Sequence, residues 1–177
     1  PGATGWTEVK NPGWQGGRVL CLTEDHRGRM WAGGRAGRAS FGREDDSWTN
    51  WGPENGLKPS AVTSILADRE GTLWFGLIAD GLQQWLGEAW SHRTSWVPGL
   101  PEWERLVVPG IAGTADGGFL AATFNRGLWR WDGTLHAYGR ETGLTEDARY
   151  AVEPRPGMLW VGTRFGIFES RDGGRFH

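Results

Sequence analysis

The chain has 177 residues, 19 of them basic and 21 acidic, and its formal charge of −2 leaves no electrostatic footprint for nucleic acid or an anionic membrane. A single cysteine, Cys21, excludes an internal disulfide framework and a cysteine-built zinc site, and reads as a small buried hydrophobe in a strand. No apolar run approaches the roughly 18 residues of a membrane span. The Pro1-Gly2-Ala3 start has neither an initiator Met nor a basic-then-apolar leader, as expected of a mature chain or one cut from something longer.

Thirty glycines and 13 tryptophans join many tight turns to large aromatic packing residues, which points to short strands. In chain order, an apolar segment Val19 to Thr23 leads into a turn and then Gly28-Arg29-Met30-Trp31-Ala32-Gly33. The same sequence of events returns as Val62 to Leu66 followed by Asp68-Arg69-Glu70-Gly71-Thr72-Leu73-Trp74-Phe75-Gly76. It returns again as Val107 to Ala112 with Gly117-Gly118-Phe119-Leu120-Ala121-Ala122, and as Ala148 to Val152 with Gly157-Met158-Leu159-Trp160-Val161-Gly162. Trp31, Trp74, Leu120 and Trp160 stand 43, 46 and 40 residues apart, and Gly37, Gly81, Gly127 and Gly166 stand 44, 46 and 39 apart. Two columns therefore report one repeat.

A third apolar segment follows each second glycine: Arg38 to Phe41, Leu82 to Trp85, Leu128 to Trp131, and Ile167 to Phe168. A fourth begins at Trp48, Trp90 and about His136, and closes on Gly56-Leu57, Gly99-Leu100 and Gly143-Leu144. Each unit is four short strands, A to D, which is the pattern of a propeller blade. The strand-B Trp should pack between blades, with looser packing where Leu120 replaces it.

Gly5-Trp6-Thr7-Glu8-Val9 resembles the strand-D opening Ser47-Trp48-Thr49-Asn50-Trp51, and the chain stops at Phe176-His177, where a last strand D should begin. The expectation is an all-β, single-domain β-propeller over 1–177. It has four blades of four antiparallel strands, with repeats at about 18–60, 61–105, 106–147, and 148–177 plus 1–17. The N-terminal strand would complete the last blade and close the ring, leaving no bare sheet edge. An open piece of a longer array, or two chains sharing one larger ring, fits the same phase. The chain is a monomer in the first case and a homodimer in the last.

Asp-x-x-Gly-x-Leu-Trp-x-Gly, then Gly-Leu on strand C, then Trp and a closing Gly-Leu, resembles the two-component regulator propeller repeat. Val62 to Leu100 carries the fullest version; the third unit has Gly118-Phe119-Leu120 and the fourth has Pro154-Arg155-Pro156-Gly157 in place of the usual pattern. The resemblance implies an extracytoplasmic sensing portion of hybrid histidine kinases and related receptors, often ones that respond to oligosaccharides.

Blade connectivity places the B–C and D–A loops on one face and the A–B and C–D turns on the other. On the turn face, Asp25, Asp68 and Asp116 read as turn chemistry, and no Asp-rich loop suits calcium. On the loop face, Arg35, Asp80, Asn125, Arg126, Arg164 and Phe165 occupy equivalent positions, and the D–A connectors add Trp14, Trp96 and Trp103. Guanidinium forks and indole faces suit a carbohydrate or other small polar ligand. A protein partner is the other reading. His26, His92, His136 and His177 form no ligand or catalytic motif, and there is no Gly-x-Ser-x-Gly elbow, so neither catalysis, a metal nor a cofactor is expected.

Overall fold

The computed structural model describes residues 5–6, 8–11, 13–14, 17–35, 38–42, 47–87, 90–92, 106–124, 126–144 and 147–177. The chain is all-β. The first antiparallel sheet holds β1 (Val19–Glu24), β2 (Met30–Gly34), β3 (Arg38–Gly42) and β4 (Trp48–Trp51) in chain order. The second holds β5 (Val62–Ala67), β6 (Leu73–Leu77), β7 (Leu82–Trp85) and β8 (Trp90–His92). The third holds β9 (Gly110–Gly113), β10 (Phe119–Thr123), β11 (Gly127–Trp131) and β12 (Leu135–Tyr138). The fourth holds β13 (Ala148–Arg155), β14 (Met158–Thr163) and β15 (Gly166–Ser170).

Each sheet folds as a meander because each hairpin has its own turn chemistry. In the second sheet, the Asp68 carboxylate accepts the backbone N–H of Glu70 at 3.0 Å and of Thr72 at 2.9 Å. Gly71 supplies the φ of 85° that the turn requires. The ladder then runs Leu66 opposite Trp74 opposite Gln84, so that Trp74 and Leu66 share one face of the sheet.

Sheets pack face to face through their first strands, β1 against β5, β5 against β9 and β9 against β13. The core is correspondingly divided. Trp31, Ala39, Val62, Ile65 and Phe75 fill the first junction; Trp74, Leu82, Val108, Phe119 and Trp129 fill the second; Leu120, Leu128, Leu144, Ala148 and Val161 fill the third. Cys21 lies beside the first of these, half-buried, and burial pushes its thiol up to about 12.

The connectors between sheets belong in packing to the sheet that follows. Buried Gln83 on β7 donates to the carbonyl of Gly56 at 2.7 Å and accepts from the N–H of Lys58 at 2.9 Å. The N-terminal segment repeats this docking on the first sheet, where the Asn11 amide donates to Ser40 Oγ at 3.0 Å and Asn50 Oδ1 at 3.1 Å.

Closure of the ring by the N-terminal strand is not shown. The edge of β15 is met instead by the chain's own last residues: Glu169 and His177 exchange backbone hydrogen bonds at 3.1 and 2.9 Å. Phe176 beside them is buried against Tyr138. Among the described residues, no packing comparable to the three junctions joins β13 to β1.

Candidate functional site

The turn face is built from a unit that the sequence shows only in pieces. Trp31 Nε1 donates to Asp25 Oδ2 at 2.8 Å, and Trp74 Nε1 donates to Asp68 Oδ2 at 2.8 Å. One carboxylate thus caps two turn N–H groups and also satisfies the buried indole of the Trp six residues on. Burial works to raise the Asp25 carboxyl, but the Trp31 indole, the backbone N–H groups of Arg29 and Arg27, and the Arg29 side chain hold it below the usual range. The ring of His26 hydrogen-bonds the carbonyl of Asp68, so the first turn also touches the second.

The third turn is different. Thr114 stands where the turn Asp would be, and its hydroxyl donates to Asp116. Leu120 is fully buried. Arg130, directly opposite Leu120 in the ladder, pairs with Asp116, with Asp132 at 3.5 Å, and across the junction with Glu153 at 2.9 Å. The Glu153 side chain is only 1% exposed. It also accepts from the N–H groups of Ala115 and Gly157, both at 2.9 Å. The Thr114 hydroxyl, the Gly118 N–H and Arg130 outweigh burial to hold Asp116 at about 2. Asp68, Trp74, Asp116, Phe119 and Asp132 line a polar cleft of about 380 Å³ between the second and third turns.

On the opposite face the B–C and D–A segments interlock, as the connectivity requires. In the β6–β7 loop, Ala79 N–H donates to Ser60 Oγ at 2.9 Å and Gly81 N–H to the carbonyl of Leu106 at 3.0 Å. Half-buried Asp80 sits between those two anchors. Arg35 and Arg126 follow β2 and β10 with exposed side chains. Arg164 is exposed, 3.6 Å from Asp147, with its guanidinium 4.6 Å above the ring of Phe165. Asp147 lies 3.8 Å from Arg149, whose guanidinium is 4.8 Å over Phe124. The order Phe124, Arg149, Asp147, Arg164, Phe165 thus links the third and fourth sheets by alternating aromatic, cation and carboxylate groups.

Arg164 and Phe165 are therefore brought together, and Phe124, adjacent in sequence to the Asn125-Arg126 pair, joins them. Trp14 is placed apart. Its indole donates to the carbonyl of Gly17 at 2.8 Å, and its side chain lines a groove of about 720 Å³ with Val9, Val19, Leu22 and Trp48 on the outer face of the first sheet. Asn125, Trp96 and Trp103 lie outside the described residues. Asp147 and Phe124 were missed in the sequence because each sits just outside a strand segment, and Arg149 because it lies within one and was read as scaffold; only the Arg-Phe pairing at 164–165 hinted at cation–aromatic contacts.

Among the described residues, no group of three or more His, Cys, Asp or Glu side chains could hold a metal ion. His136 Nε2 lies 3.4 Å from Asp132 Oδ1, but on the exposed surface of the third sheet. No helix of the described chain is long and apolar enough to cross a membrane.

Comparison with known proteins agrees with this architecture. A family model described as "two component regulator propeller" matches residues 13–36 and 56–78. No match was found among curated proteins. The chain is similar, at 18% identity and a TM-score of 0.72, to the extracellular domain of a putative hybrid two component system from B. thetaiotaomicron. The alignment covers 90% of this chain and 24% of that one, so the chain spans about a quarter of that domain. It is also similar to virginiamycin B lyase from Staphylococcus aureus, at 15% identity and a TM-score of 0.70, over 90% of this chain and 54% of the lyase. The computationally designed Ika4 protein aligns at 12% identity and a TM-score of 0.63, over 94% and 98% of the two chains.

Proposed function

We propose that the chain is a non-catalytic ligand-recognition module of the sensor type, working outside the cytoplasm and binding a carbohydrate or other small polar ligand on its B–C/D–A loop face. The observation that carries this reading is the unequal use of charge on the two faces. Turn-face carboxylates are occupied by the indoles of Trp31 and Trp74 and by Arg130. On the loop face, Arg35, Arg126 and Arg164 reach the surface, and the Arg164 guanidinium sits over an aromatic ring. A guanidinium so held offers its edge as a fork of donors to hydroxyl or carboxylate oxygens. The match to the two-component regulator propeller model favours the sensor setting.

A glycan array followed by calorimetric titration of the best hit tests this. Arg126→Ala and Arg164→Ala should each weaken binding about tenfold or more, as expected for loss of a charged hydrogen bond. Absence of binding to every glycan and polar metabolite probed, with both variants silent, would remove the sensor reading. A structural or protein-binding scaffold would then remain.

A further inference from the structure

The two end sheets carry the same interface residues as the inner sheets, and among the described residues no further sheet packs on them; the N-terminal segment docks at Ser40 and Asn50 of the first, as each connector does on the sheet that follows it. Trp31, Trp74 and Leu120 face the following sheet and are 0, 4 and 0% exposed; Trp160, in the same column, is 41% exposed. Tyr150, Val152 and Ile167 on that face are exposed as well. At the other end, Leu22 on β1 is 65% exposed, whereas Ile65, its counterpart on β5, is 8% exposed. Val19 and Met30 beside Leu22 are also exposed. Apolar faces of this kind on a soluble sheet mark an interaction surface.

The glycines of the B strands show what each face receives. A Cβ at Gly33 would meet Val62 of the next sheet at 2.5 Å, and one at Gly76 would meet the carbonyl oxygen of Val108 of the next sheet at 2.8 Å. In each case the chain at, or just before, the first strand of the following sheet sits directly on the glycine. Gly162 is the fourth member of this column, and a Cβ there meets nothing closer than Tyr150 at 3.9 Å. Among the described residues, the seat is formed and uncovered. The residue that corresponds to Val62 at the free end is Val19.

We propose that a second copy of the chain covers both bare faces: Val19 and Leu22 of each copy seat on Gly162 and Trp160 of the other, closing a ring of two chains through two identical junctions. The occupant follows from continuity with the three junctions already inside the chain, since the last face has the pattern that receives a β1-type strand. Two copies suit a ring of the size of those neighbours of which the chain covers about half, 54% of the virginiamycin B lyase chain and 44% of the designed Ika8 chain. End-to-end contacts between unlike faces must close on themselves or grow into fibres, and two half-rings close.

Sedimentation velocity of the 177-residue chain across a wide concentration range tests this. A species of twice the 19.6 kDa chain mass is expected. Gly162→Leu should return the chain to its single mass with unchanged circular dichroism, because the isolated chain has room for the side chain and only the seat is blocked. Leu22→Glu should weaken association roughly a hundredfold or more by burying a charge without a partner. Where Leu22→Glu impairs folding, Gly162→Leu decides alone. A wild-type chain that is monomeric at every concentration overturns the proposal. So does a dimer that survives either variant, since contact between like faces would need only one of the two.

Discussion

The first two turns and the third solve one problem with different atoms. In the first two, a carboxylate in the turn accepts a hydrogen bond from the indole of a Trp on the second strand. In the third, Thr114 and Leu120 replace that pair, and Arg130 on the neighbouring strand supplies the donor. The repeated quantity is a role, an acceptor in the turn matched to a donor on the sheet, and not a residue type at a fixed position. The substitution also changes what the turn touches, because Arg130 reaches beyond its own sheet to Glu153 on the fourth.

The largest expected effect comes from removing that arm. Arg130→Leu leaves Glu153 buried without its cation, and unfolding in urea should show a loss of about 3 kcal/mol. A loss below about 1 kcal/mol would mean that the network is solvated and the two turn types are not equivalent. Leu120→Trp sharpens the comparison next. Judged by residue column alone, it restores the repeat and stabilises the fold. Judged by role, it adds volume to a filled site with no free carboxylate at Thr114, and should cost about 2 kcal/mol by the same measurement.

The smallest effect is the response to acid. Asp116 is held at about 2, below its ordinary 3.8, so its contribution is present at neutral pH and lost as the pH falls from about 4 toward 2. Thermal midpoints recorded across that window should fall more steeply for the natural chain than for Asp116→Asn. An unchanged slope in the variant would show that Arg130 holds the turn without help from the charge of Asp116.

Much of the fold was legible in the sequence because tight turns and large aromatics recur in register. The Asp, Gly, Trp and Gly columns placed the A–B turns, and the strand-C segments at Arg38, Leu82 and Leu128 fall where β3, β7 and β11 run. The Asp–indole bond was hidden because turn and filler were read as separate jobs, although a fixed spacing of six joins Asp25 to Trp31 and Asp68 to Trp74. Arg130 was hidden because a cation within Leu-Trp-Arg-Trp looks like the solvent side of an edge strand. Closure was not legible for a different reason. Similarity between Trp6 and Trp48 identifies a kind of strand, but it does not say which segment reaches the edge first, and Phe176 with His177 already lies there. On the loop face, Arg35, Asp80, Arg126 and Arg164 are placed on B–C segments as the connectivity demanded, while Trp14 belongs to the connector docked on the first sheet.

The docking of each connector on the sheet that follows gives the molecule two overlapping grammars. A word of sequence ends with its fourth strand, but a word of packing begins one connector earlier, where Gly56 and Lys58 hold Gln83. The family matches at 13–36 and 56–78 run from connector to second strand, and so respect the packing word. A cassette cut from Gly56 through the fourth strand of its sheet would carry its own docking partner, Gln83, with it. One cut at the end of a sheet would leave that partner behind.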